Sequence, residues 1–72
     1  MQIKDWLYKE VMTYEKFGKG IGCARQSVWV WVNYVHLPSH KTIEKIERFT
    51  KGEVTYEDFR QGMKEKRAAE NG

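Results

Sequence analysis

The sequence predicts an all-α protein of four to five short helices, and three observations carry that prediction. Apolar residues recur at helical spacing in successive stretches, as at Ile3, Trp6 and Leu7 and again at Ile43, Ile46 and Phe49. Residues that start helices (Thr13, Ser39, Thr55) stand ahead of such stretches, and residues that stop them (Gly22, Pro38, Gly52) stand between. Finally, the β-forming run at residues 28–32 has no second strand to pair with anywhere in the chain.

A first helix is expected over residues 3–12. Ile3, Trp6, Leu7 and Val11 share one face, and Lys4, Lys9 and Glu10 take the wet side. Thr13 suits the N-cap of a second helix, with Glu15 in the first turn where the helix dipole favours an anion. Phe17 and Ile21 are four apart and share a face. Gly18 and Gly20 each cost about 1 kcal/mol relative to Ala, a cost that makes sense at Gly18 if another helix approaches closely there. Gly22 fits the left-handed position that ends the helix.

The third helix is expected over residues 25–34. Taken alone, Val28-Trp29-Val30-Trp31-Val32 reads as a strand. Val28, Trp31 and Val35 at helical spacing, together with the missing partner strand, favour a helix that buries all three. Leu37 and Pro38 form a linker, because proline and its predecessor resist helix. Ser39 then caps a fourth helix with Ile43, Ile46 and Phe49 inside, ending at Gly52. Thr55 and Asp58 have the spacing of a capping box and open a last helix carrying Phe59 and Met63. The domain is expected over residues 1–63, with a polar tail over 64–72 whose end, from Ala68 to Gly72, frays.

Seventy-two residues make one domain, and 32% charged against 40% hydrophobic residues is an ordinary soluble balance. A chain this short buries only about 60% of the surface its unfolded form exposes, so dimerisation is a natural supplement. The net charge is +3, and its placement matters more than its size. Between residues 13 and 52, seven cations (Lys16, Lys19, Arg25, Lys41, Lys45, Arg48, Lys51) stand against three acids (Glu15, Glu44, Glu47), while the two ends are near neutral. A basic middle suits a polyanion. Cys23 is the single cysteine, read as a small buried hydrophobe, and a reducing cytoplasm is expected. No apolar run approaches the length of a membrane helix, and no signal-peptide core follows Met1. Cys23, His36 and His40 lack the paired spacing of a metal site, so no metal or other cofactor is expected. No paired carboxylates or nucleophile–base arrangement suggests an enzyme.

Thr13, Phe17, Gly18 (where Ala is usual), Ile21-Gly22-Cys23, Arg25-Gln26-Ser27-Val28, Trp31, Asn33 and Leu37-Pro38-Ser39 fall in one ungapped register. This stretch resembles the helix-turn-helix of the phage repressor/Cro superfamily, with the motif at about residues 13–34. Residues 50–59 are similar to the tail of small Cro-like prophage regulators, including antitoxin-type members. Three departures stand out: Ala24 in place of a capping Ser or Thr, Tyr14 in place of Gln, and apolar Trp29 and Val30 where polar side chains usually face the groove.

The resemblance implies a lambda-repressor-like domain acting as a sequence-specific, double-stranded DNA-binding transcriptional regulator. It further implies a Cro-like repressor that binds a palindromic operator as a homodimer, in a bacterial or phage-infected cytoplasm, with no small-molecule substrate and no membrane. In such docking the recognition helix lies in the major groove. Arg25 can donate two hydrogen bonds to guanine and Gln26 can pair with adenine. Ser27, Trp29 and Val30 lie over the same side. Thr13, Tyr14 and Asn33 are placed by analogy on phosphates, and Lys41 adds a phosphate charge contact.

Plainer roles stand beside these: solvation for Arg25 and capping of the helix end for Asn33. Trp29 has three readings, namely DNA contact, folding back onto the domain, or a protein interface. The competing function is a protein-interaction module, an antitoxin or a regulator's partner, on the same fold. Val54, Tyr56, Phe59 and Met63 are the expected dimer candidates, with core packing the alternative for Phe59.

Overall fold

Capping residues start the helices where the sequence places them. The computed structural model describes residues 1–71 and contains five helices: α1 (Ile3–Lys9), α2 (Tyr14–Ile21), α3 (Arg25–Val32), α4 (His40–Phe49) and α5 (Tyr56–Asn71). No strand occurs among the described residues. The Thr13 hydroxyl accepts the Lys16 N–H at 3.1 Å and the Ser39 hydroxyl accepts that of Thr42 at 3.3 Å, each satisfying a free donor of a first helical turn. Ahead of α5 the box is reciprocal: Thr55 N–H donates to Asp58 Oδ2 at 2.9 Å, and Asp58 N–H to Thr55 Oγ1 at 3.4 Å. Burial alone would raise the Asp58 carboxyl, but hydrogen bonds from the N-terminal ammonium and Thr55 outweigh it and hold it below 3.8. Ala24 has the extended backbone of an N-cap (φ −75, ψ 153) and no side chain to cap with.

The first four helices end by one device. A backbone N–H reaches five residues back: Met12 to Leu7 O, Cys23 to Gly18 O, Val35 to Val30 O and Gly52 to Glu47 O, at 2.7–3.0 Å. The residue before each donor is left-handed, but only Gly22 (φ 76) is a glycine; the others are Val11 (φ 51), Tyr34 (φ 54) and Lys51 (φ 55). Two expectations fall with this. Helix α1 stops at Lys9 rather than at residue 12, and Val11 turns outward to 89% exposure. Val35 also leaves the core (44% exposed), and Val32 takes the inner position instead. A third correction concerns the C-terminus: α5 continues past Met63 to Asn71, so residues 64–71 are helix rather than tail, while Gly72 lies outside the described residues.

The core sits where α2 packs on α3 and α4, and α1 on α3. Trp6, Phe17 and Phe49 form an aromatic trio with centroids 5.4–5.9 Å apart, inside the range favourable for edge-on and tilted rings. Both glycines of α2 serve close approach. A Cβ at Gly18 would run into the Cys23 carbonyl across the turn, and one at Gly20 would run into the Phe49 ring. Trp6 keeps its polar edge satisfied by donating its indole N–H to Glu53 Oε2 at 2.8 Å, and Lys9 Nζ reaches the other oxygen at 2.6 Å. The Lys9 hydrogen bond, aided by that of Trp6, holds the Glu53 carboxyl below its usual 4.5. Val54 and Phe59 are fully buried, so neither is available as a dimer surface, and the core alternative for Phe59 stands.

Candidate nucleic-acid interface

Gly22, Cys23 and Ala24 connect α2 to α3 as a helix-turn-helix, and packing on one side of α3 decides what its other side can present. Val28, Trp31 and Val32 face inward. Arg25, Gln26, Trp29 and Asn33 are exposed, with Ser27 and Val30 half-buried between the two faces. Helical spacing puts Arg25 and Gln26 in the first turn and Trp29 and Val30 one turn on, over the same side. Among the described residues no ion pair neutralises Arg25 or Lys41: the pairs use Lys9, Lys19, Arg60, Lys66 and the N-terminal ammonium.

The flanking candidates differ in what they have left to offer. Thr13 is exposed; its oxygen already accepts from Lys16, which leaves the hydroxyl proton free to donate. Tyr14 is half-buried as the first residue of α2 and packs against the core. Lys41 is exposed in the first turn of α4. Asn33 stands at the C-cap of α3, and its side-chain N–H donates to Trp29 O at 2.9 Å. One N–H of its amide is thus engaged in closing the helix, and the other N–H and the carbonyl oxygen stay exposed. Trp29 is 51% exposed and is not among the residues packed against the core. Cys23 is half-buried against the core rather than fully enclosed.

Some residues that position this surface escape sequence reasoning. Lys66 of α5 donates to the Asn33 and Tyr34 carbonyls at 2.9 and 3.4 Å, satisfying free acceptors at the end of α3. The Tyr34 hydroxyl hydrogen-bonds Gln2, and its ring lies where a Cβ on Gly62 would stand. Burial, then the carboxylates of Asp58, Glu65 and Asp5, pushes the Tyr34 phenol up to about 12. A glycine inside a helix is the one local sign of this contact, because it marks a close neighbour. Nothing in the sequence pairs Lys66 with residue 33.

An apolar surface depression lies between α1 and the start of α2, with Leu7, Tyr8, Val11 and Tyr14 among its walls and no α3 residue in its lining. No group of three or more His, Cys, Asp or Glu gathers as a metal cage among the described residues, and none of the helices there is long and apolar enough to cross a membrane. No family model, curated protein or solved structure matches the chain.

Proposed function

We propose that the protein is a sequence-specific DNA-binding transcriptional regulator of the Cro-like kind, reading the major groove with α3. The observation that carries the proposal is the helix-turn-helix whose second helix presents Arg25 and Gln26 outward, unpaired, in its first turn. An arginine fork matches guanine O6 and N7, and a glutamine amide matches adenine N6 and N7. Thr13 and Tyr14 at the start of α2, Asn33 at the end of α3 and Lys41 at the start of α4 are assigned to phosphate contacts, which fix register without reading sequence. Two copies would engage a palindromic operator and repress by occupying a promoter. With Val54 and Phe59 in the core, the half-exposed Tyr56 and Met63 remain as candidates for the dimer surface.

Selection from random-sequence duplex DNA, followed by a salt series, tests this. Wild type should enrich a palindromic site, and affinity for it should fall steeply with salt as phosphates regain counterions. The Arg25→Ala/Gln26→Ala variant should lose or relax the preference. Weak binding with no enriched sequence would sink the proposal. A second reading, a protein-interaction module, draws on the exposed Trp29. Complexes of that kind would respond little to salt.

A further inference from the structure

The outward side of α3 is divided in two by chemistry. Its first turn carries hydrogen-bonding groups, Arg25 and Gln26, whereas its second carries the half-exposed indole of Trp29 and the flank of Val30. Asn33, which could have added a polar probe one turn further on, donates its side-chain N–H to the Trp29 carbonyl. The second turn, then, is a carbon ledge edged by the indole N–H, with the exposed Asn33 keeping its other N–H and its carbonyl oxygen one turn further on. Base edges in the major groove offer donors and acceptors, with one apolar exception, the C5-methyl of thymine. A carbon ledge set over amino or carbonyl edges strips their water and returns no hydrogen bond. Set over a methyl, it buries apolar area on both sides.

We propose that Trp29 and Val30 form a reader of pyrimidine C5-methyl groups, so that the DNA site carries thymine, or equally 5-methylcytosine, opposite the second turn of α3. The occupant is DNA rather than a protein because the ledge continues directly from Arg25 and Gln26 on the same helix face, with the free cation of Arg25 at one end. The inference rests on the DNA-binding reading above. Recognition at these base pairs depends on the methyl and not on the Watson–Crick partner.

The test uses the full chain and the duplex that it enriches from a random pool. Each T·A pair is replaced in turn by U·A, by C·G and by 5-methylcytosine·G, and affinity is measured for wild type and for Trp29→Ala and Val30→Ala. At one or two positions wild type should bind U·A and C·G about threefold to fivefold more weakly, as expected for one buried methyl, and 5-methylcytosine·G as tightly as T·A. Trp29→Ala, altered at an exposed position, should lose most of that methyl dependence and keep its preference at the base pairs read by Arg25 and Gln26. If U·A equals T·A everywhere while Arg25→Ala/Gln26→Ala still abolishes sequence preference, the methyl reader is overturned and the DNA-binding reading stands. If no sequence is enriched, both fall.

Discussion

At Val11 a β-branched side chain occupies the left-handed region (φ 51) while 89% exposed, so it carries backbone strain with almost no packing to offset it. Relief of roughly 1–2 kcal/mol exceeds the 0.5–1 kcal/mol or so by which a glycine's larger unfolded freedom opposes it. Val11→Gly should therefore raise stability modestly, by up to about 1 kcal/mol, and lift Tm by several degrees in a thermal melt. An unchanged or lower Tm would mean that the strain is absent. Tyr34 makes a different prediction. Its unfolded phenol titrates at 10.0 and its folded one at about 12, so the folded state disfavours phenolate. Stability is complete below pH 10.0 and is lost as the pH rises through that interval. Tyr34→Phe should be less sensitive to alkali between those values than wild type, as followed by circular dichroism.

Helix starts were legible in the sequence and helix ends were not, for a physical reason. An N-cap is one side chain with one local hydrogen bond, so Thr13, Ser39 and the Thr55–Asp58 pair act as the sequence implies. The ends use left-handed residues; Gly22 and Gly52 announce themselves, whereas Val11 and Tyr34 are left-handed without being glycine and give no such sign. That is why Val11 and Val35, well placed by spacing, ended outside the core. The outward face of α3 was legible from periodicity, whereas its brace by Lys66 spans 33 residues and leaves no local trace. The missing cap at Ala24 is legible too, and it is correctable. Because the backbone there already has N-cap geometry, Ala24→Ser should stabilise the protein by about 1 kcal/mol, seen as a higher urea midpoint at unchanged slope. A lower midpoint would indicate that the turn cannot accept the hydroxyl.

On the scale of the whole molecule, five of the cations that no ion pair among the described residues uses lie on the helix-turn-helix and α4 (Lys16, Arg25, Lys41, Lys45 and Arg48), while Lys4, Lys51, Lys64 and Arg67 lie elsewhere and the ion pairs gather on α1, α5 and the Glu15–Lys19 edge of α2. The backbone spans 36 × 22 × 19 Å. Half-sites read by such motifs lie about 34 Å apart, so two copies could meet if their long dimensions run along the DNA. In the proposed complex α3 is the surface that meets DNA. Backbone amide shifts of the isotope-labelled protein, recorded as the selected duplex is added, test it most directly. The largest changes are expected at Arg25, Gln26, Trp29 and Val30, with smaller ones at Thr13, Tyr14 and Lys41. Changes centred instead on the Tyr8 and Val11 groove or on α5, with α3 silent, would contradict it.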